Sequence, residues 1–295
     1  MKVLLSGATG FIGRYLLDEL LKNDHKIYAI VRKFNLSLDS RVEQINLSSL
    51  NTLDETFDVF INLAGENIAS KPWSEKRKTA LYESRIGLTD QIRRNLMNPP
   101  KRVISMSAVG YYGVAREGVF NENTLHKAGF AHELCDAWEK TAMLFPDPQA
   151  VVIFRLGVVL GVGGALDKMR LPFKLGLGGP LTDGKQWFSW IHINDVINAI
   201  VSAMADKSYE GVYNLVAPEF IDQKTFAKYY AKSLNRSAIL PTPRWVLNLI
   251  FGEMATLLTE GPKITPSRLQ EKNFEFEYKD LKAALFDIEE KHQLR

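Results

Sequence analysis

Residues 7–13 read GATGFIG, with glycine at every third position, directly after the strand-forming run KVLLS (2–6) and directly before a segment of helical periodicity. Between a strand and a helix this spacing has a defined use. Gly7 permits the tight turn, Gly10 lets a pyrophosphate approach the backbone, and Gly13 lets the helix pack on the strand, while free N–H groups of the first helical turn face the phosphates. Thr9, Phe11 and Ile12 belong to the same cradle. Nineteen residues past Gly13, where an acidic side chain would hold the ribose 2′-hydroxyl of NAD, stand Arg32 and then Lys33. Two cations there suit the 2′-phosphate of NADP, and the planar fork of Arg32 matches phosphate oxygens. NADP(H) is therefore the expected cofactor.

The elements that must position this cradle alternate along the chain. The strand 2–6 is followed by a helix over 11–23, with Phe11, Ile12, Tyr15, Leu16 and Leu20 on one face. Further strands are read at 26–32, 42–47, 58–65, 102–107 and 150–157, with a long helix over 74–96, stopped by Asn98-Pro99-Pro100, and another over 130–145. The strand runs are too continuously apolar for a solvent-facing sheet, which predicts an α/β fold with a doubly wound parallel sheet covered on both faces. Ligand groups in such sheets come from the carboxyl ends of the strands, which predicts Asn62, Leu63, Ala64 and Gly65, then Ser105, Ser107 and Ala108, near the ribose and nicotinamide. Residues 1–164 are read as the nucleotide-binding domain. Residues 165–295, entered through the glycine-rich stretch 161–186, are read as a smaller substrate-side lobe.

Bulk properties exclude several classes. Of the 295 residues 46% are hydrophobic and 24% charged, ordinary globular values. Lys plus Arg exceeds Asp plus Glu by three, so the overall balance gives no reason to expect nucleic acid or a membrane as partner. Cys135 is the sole cysteine, which excludes an intramolecular disulfide and suits a reducing cytoplasm. Neither a signal peptide nor a membrane span is expected. No His/Cys/Asp/Glu cluster has metal-ligand spacing.

GATGFIG together with NLAGENIA (62–69), Trp73 with SRIGLT (84–89), SAVGYYG (107–113), CDAWE (135–139), FRLGVVLG (154–161), LPFKLGLGGP (171–180), SWIHIND (189–195) and GEMATLLTEGPKITPSRL (252–269) resembles the extended short-chain dehydrogenase/reductase superfamily. Within it, the chain is similar to the epimerase family proteins that carry a distinctive C-terminal domain. The resemblance spans nearly the whole chain. It implies a Rossmann-type NADP-binding domain, with Arg32, Lys33, Leu63, Ala64, Arg85 and Val159 at positions matching cofactor contacts.

The superfamily's chemistry rests on a Ser or Thr and a Tyr-x-x-x-Lys pair, the lysine favouring the phenolate of a tyrosine whose free pKa is near 10. Here Ala131 falls at the tyrosine position, Cys135 at the lysine position and Ala108 at the hydroxyl position. The substitutes offered by residue type are Ser107, Tyr111, Tyr112, Glu139 and His132, of which Ser107, Tyr111 and Glu139 are the catalytic candidates. Arg155 at the end of the sixth strand, Tyr112 and His192 are the candidates for binding a small polar substrate, sugar-related molecules among them. For the tyrosine pair, aromatic packing is the competing reading; for Arg155 an ordinary salt bridge; for His192 and Asp195 the start of a helix capped by Asn194. Two functions follow: an NADP(H)-dependent oxidoreductase or epimerase-like enzyme, monomeric or homodimeric, or a non-catalytic NADP(H)-binding redox sensor. A regulatory role linked to cell division is a third, carried only by the resemblance.

Overall fold

The computed structural model describes residues 1–115, 117–125 and 129–294. The first half contains β1 (Lys2–Ser6), α1 (Phe11–Lys22), β2 (Lys26–Ile30), β3 (Val42–Ile45), β4 (Val59–Asn62), α2 (Glu75–Tyr82), α3 (Leu88–Asn95), β5 (Val103–Ala108), β6 (Val119–Phe120) and α4 (Gly129–Ala142). The second contains β7 (Val151–Leu156), β8 (Val158–Leu160), α5 (Ala165–Lys174), β9 (Trp190–His192), α6 (Ile193–Ala205), β10 (Gly211–Leu215), α7 (Gln223–Ser233), α8 (Arg244–Phe251), α9 (Ala255–Thr259), β11 (Lys263–Ile264), α10 (Ser267–Glu271) and α11 (Leu281–Gln293).

Seven strands form one parallel sheet in the order β10-β7-β5-β4-β1-β2-β3. The expected doubly wound arrangement is thus present, and the strand order reverses between β1 and β4, which pair from Val3↔Val59 to Ser6↔Asn62. Alternate strand residues feed opposite cores. Val3, Leu5, Ile61 and Ile104 pack with Leu16 and Leu20 of α1 and Val196 and Ile200 of α6. Leu4, Phe60, Val103 and Ile153 pack on the other face with Ile92 of α3 and Ala142 and Phe145 at the end of α4.

Two local expectations are corrected. The long helix over 74–96 is interrupted by a π-helical turn at Glu83–Gly87. The extra residue in the ladder lets Leu81 and Ile86, five positions apart, pack in one cluster, a step that an α-helical period of three or four does not look for. The cap of α6 is His192, whose side chain accepts the Asn194 N–H, rather than Asn194 itself. The remaining elements build a separate apolar cluster from Leu166 and Phe173 of α5, Phe226 and Tyr230 of α7, and Leu281, Leu285 and Ile288 of α11. β10, from the second half of the chain, returns to the large sheet beside β7.

Candidate functional site

At the carboxyl end of β1, Gly7 has φ +76, and a Cβ there would lie 2.8 Å from the Leu63 carbonyl after β4. Only a glycine lets the two strand ends meet this way. A Cβ on Gly13 would lie 2.2 Å from the Gly7 oxygen, so α1 can seat on the turn only because that side chain is missing. Gly10 caps α1 with no side-chain bond, and the first intrahelical bond is Arg14 N–H to Gly10 O at 3.0 Å. The amides of Phe11, Ile12 and Gly13 precede it and are left for an anion. Phe11 also forms the wall opposite, since a Cβ on Gly161 or Gly164 would meet its ring at 3.1 and 2.8 Å. Thr9 is exposed beside the turn, and Arg32 and Lys33 are exposed just beyond β2 with no ion-pair partner among the described residues. These features fit a dinucleotide phosphate.

A buried polar chain fixes the switch point. The Ser6 hydroxyl donates to Asn62 Oδ1 at 2.7 Å, Asn62 Nδ2 donates to Thr89 Oγ1 at 2.8 Å, and Thr89 Oγ1 donates to the Arg85 carbonyl at 2.5 Å. Ala64 N–H donates to Ser6 Oγ at 3.3 Å, which ties the Leu63-Ala64-Gly65 segment to β1. The π-turn carries Arg85 over this segment: its Nη2 donates to Glu66 O at 2.8 Å and its guanidinium lies 5.2 Å from the Trp138 ring. A Cβ on Gly65 would lie 2.9 Å from Arg85 Cζ, so the glycine makes room for the cation. Burial pulls the Arg85 pKa below its ordinary value, with no carboxylate at ion-pair distance among the described residues. Val159, in β8 opposite Ile191, is half-buried against the first core.

Around the end of β5 the structure brings most of the reaction candidates together, in a closed network. Ser107 and Arg155 are directly paired in the sheet. The Ser107 hydroxyl donates to Glu139 Oε1 at 2.7 Å, and Arg155 grips the same carboxylate through Nε and Nη2, both at 2.8 Å. Arg155 Nη1 donates to the Tyr112 hydroxyl at 3.0 Å, which in turn donates to Asn214 Oδ1 at 2.8 Å. Burial works against the Arg155 charge, but the Glu139 and Tyr112 oxygens outweigh it and raise its pKa. Burial pushes the Tyr112 phenol up to about 12. Tyr111 is half-buried, with Arg155 Cζ 3.3 Å from its ring centroid and no hydroxyl partner among the described residues. His132 binds the Tyr111 carbonyl through Nδ1.

The positions of the superfamily's tyrosine and lysine both face Gly110, where a Cβ would be 3.4 Å from Ala131 Cβ and 3.7 Å from Cys135 Sγ. Ala131 lies in an apolar cluster with Trp73, Leu81, Leu134 and Met254. Burial pushes the Cys135 thiol up to about 12, so it is an inert small side chain at neutral pH. His192 stands apart from this group. Its Nδ1 caps α6 at 3.1 Å, its ring lies against that of Tyr278 with centroids 3.8 Å apart and planes tilted by 36°, and burial lowers its pKa to about 4. Asp195 accepts the backbone N–H groups of Glu277 and Tyr278 at 2.6 and 3.2 Å.

Several site residues were not singled out from the sequence for these roles. Ser6 carried a signal, as a polar residue ending an apolar strand run, as Asn62 also does. Thr89, Trp138, Asn214 and Glu122, whose carboxylate accepts the Asn214 N–H at 3.0 Å, carried none, because their partners are distant in sequence.

A glycine turn at the reversal of a parallel sheet, with cations beyond the second strand, defines a Rossmann-type dinucleotide-binding protein. The chain belongs to the NAD dependent epimerase/dehydratase family, which it matches over residues 3–215, and residues 242–288 match a domain of unknown function, DUF1731. It is 36% identical over 303 residues to the chloroplastic epimerase family protein SDR39U1 homolog of Arabidopsis thaliana, covering 97% of this chain and 86% of that one. It is 33% identical over 302 residues to the epimerase family protein YfhF of Bacillus subtilis, covering 98% of each. The crystal structure of human epimerase family protein SDR39U1 with NADPH superposes with a TM-score of 0.91 at 34% identity, covering 98% of this chain and 99% of that one. UDP-glucuronic acid 4-epimerase from Bacillus cereus shares the fold, with a TM-score of 0.79 at 22% identity and full coverage of both chains.

Proposed function

We propose that this protein binds NADP(H) in the cleft between the glycine turn and the Leu63–Gly65 segment and works as a cofactor-responsive binding protein without the proton relay of the epimerases. Arg32 and Lys33 select the 2′-phosphate, the α1 amides hold the pyrophosphate, and Arg85 and the Ala64 segment line the ribose side. NADPH carries a transferable hydride, and its transfer to a carbonyl would need a proton donor beside it. The observation that carries the reading is the commitment of the Ser107 proton to Glu139, within a carboxylate already gripped by Arg155. A hydroxyl so engaged accepts hydrogen bonds from a ligand but does not protonate a carbonyl oxygen. With alanine and a buried thiol in place of the tyrosine and lysine, the hydride has no proton partner among those positions.

The NADPH bound by the human relative supports the cofactor choice. A second reading, reduction or epimerisation of a small polar substrate, is favoured by half-buried Tyr111, the catalytic candidate whose hydroxyl has no partner among the described residues. Calorimetric titration with NADPH, NADP⁺ and NADH tests the proposal. Tight binding of NADPH and NADP⁺ with much weaker NADH is expected; absence of all binding would overturn it.

A further inference from the structure

We infer that the face formed by the end of α5, the 236–243 segment and α8 docks on an anionic lipid bilayer surface. Two stretches of chain meet there. Arg236 Nε donates to the Lys174 carbonyl at 2.8 Å, Thr182 N–H to Thr242 O at 2.9 Å and Thr242 N–H to Pro180 O at 2.8 Å, so they form one continuous surface. From it project Leu175, Leu177, Ile239, Trp245, Leu249 and Ile250, with Leu249 80%, Ile239 76% and Trp245 68% exposed. Leu247 is the one fully buried residue of α8, which therefore presents most of its apolar surface outward. Singly exposed apolar residues are ordinary; a contiguous group this large marks an interaction surface.

The charge pattern chooses the occupant. Lys174 and Arg236 lie in this face itself and Arg244 opens α8; the adjoining stretches 168–173 and 224–235 add Lys168, Arg170, Lys224, Lys228 and Lys232, and residues 168–182 and 224–252 contain no Asp or Glu, with Asp167, Asp183, Asp222 and Glu253 at their borders. Arg170 and Arg244 are paired with Glu289 and Glu260, while the other six have no ion-pair partner among the described residues. The near-neutral balance of the whole chain hides this local excess. A second copy of the chain is disfavoured, because a two-fold interface would set these cations against themselves. A small apolar substrate would be enclosed in a concavity, whereas these side chains protrude. Protruding Leu, Ile and Trp among Lys and Arg are the features with which interfacial helices enter an anionic leaflet, and no helix among the described residues is long and apolar enough to cross it. α8 ends at Phe251, and the turn that follows carries Met254, packed with Ala131 and Trp73, so docking would set the Ala131 side of the molecule close to the lipid surface.

Sedimentation of the full chain with phosphatidylcholine vesicles, with and without phosphatidylglycerol, tests this. Binding only to the anionic vesicles is expected, weakening with salt, since each cation near such a surface contributes roughly a fivefold factor. The double substitution Trp245→Glu, Leu249→Glu is expected to lower partitioning roughly tenfold or more. Its thermal unfolding midpoint should be unchanged, because both residues are solvent-exposed. Lack of binding to anionic vesicles at low salt, or equal binding by the double variant, would overturn the inference. So would a concentration-dependent dimer that the same substitutions dissociate without any vesicle binding.

Discussion

Arg32 and Glu139 separate the two halves of the account at the level of single residues. Arg32 is exposed beyond β2 and the proposed function assigns it to the 2′-phosphate, so Arg32→Ala should weaken NADPH binding by ~10- to 100-fold while leaving NADH unaffected, the value of one or two charge-assisted hydrogen bonds. Titration of both cofactors reads this directly, and equal losses for both would contradict it. Glu139 is buried and holds Arg155 and Ser107 at once. Glu139→Leu would strand a buried guanidinium and should cost about 3–5 kcal/mol of stability by denaturant unfolding. A Glu139 that mainly moved protons would instead show lost turnover with stability intact. Arg32 could be proposed from the sequence because its place follows from a short count from the glycine loop. The Ser107–Glu139–Arg155 network was not, because its members lie 32 and 16 residues apart and meet only through the pairing of β5 with β7 and the seating of α4.

Helix α1 seats on the glycine turn with no spare room, and α6 is pinned at its start by two oppositely acting titrations. Gly13→Ala would drive a methyl into the Gly7 carbonyl and should abolish NADPH binding, with a loss of about 1–3 kcal/mol from overpacking. Retained affinity in a calorimetric titration would refute this account of the turn. At α6, burial pushes Asp195 up to about 6 from 3.8, so its contribution to stability is full below the unfolded pKa and is lost as pH rises through about 6. Burial lowers His192 from 6.5 to about 4, so its contribution is present above the unfolded pKa and is lost as pH falls through about 4. The two slopes oppose each other between pH 4 and 6. Asp195→Asn should therefore make stability rise more steeply with pH across that window, and His192→Asn, which keeps a capping side chain, should make it fall. Unfolding curves taken across that window check both, and single-variant profiles parallel to the wild type would rule the assignment out. The sequence showed the apolar periods of both helices, but not the π-turn before α3, whose sign is a single five-residue step from Leu81 to Ile86, or the cap at His192, a residue type outside the usual capping set.

The whole molecule combines a nucleotide cleft that is easily read from its glycines with surroundings that depend on topology. The doubly wound sheet followed from alternating strand and helix signals, whereas the return of β10 to the sheet required knowing which face each crossover covers. The basic apolar face was invisible in a net charge of +3. Across this architecture, the tyrosine and lysine positions are filled by Ala131 and Cys135, and the neighbouring hydroxyl is tied to Glu139. On the proposed function, cofactor is held here without hydride chemistry. The direct test is to incubate the protein with NADPH deuterated separately on each face of the nicotinamide, together with a metabolite extract, and to follow the label by mass spectrometry. Deuterium is expected to stay on bound cofactor in both forms. Deuterium in any metabolite, dependent on the protein and lost with Gly13→Ala, would contradict it and point to Tyr111 as the proton donor.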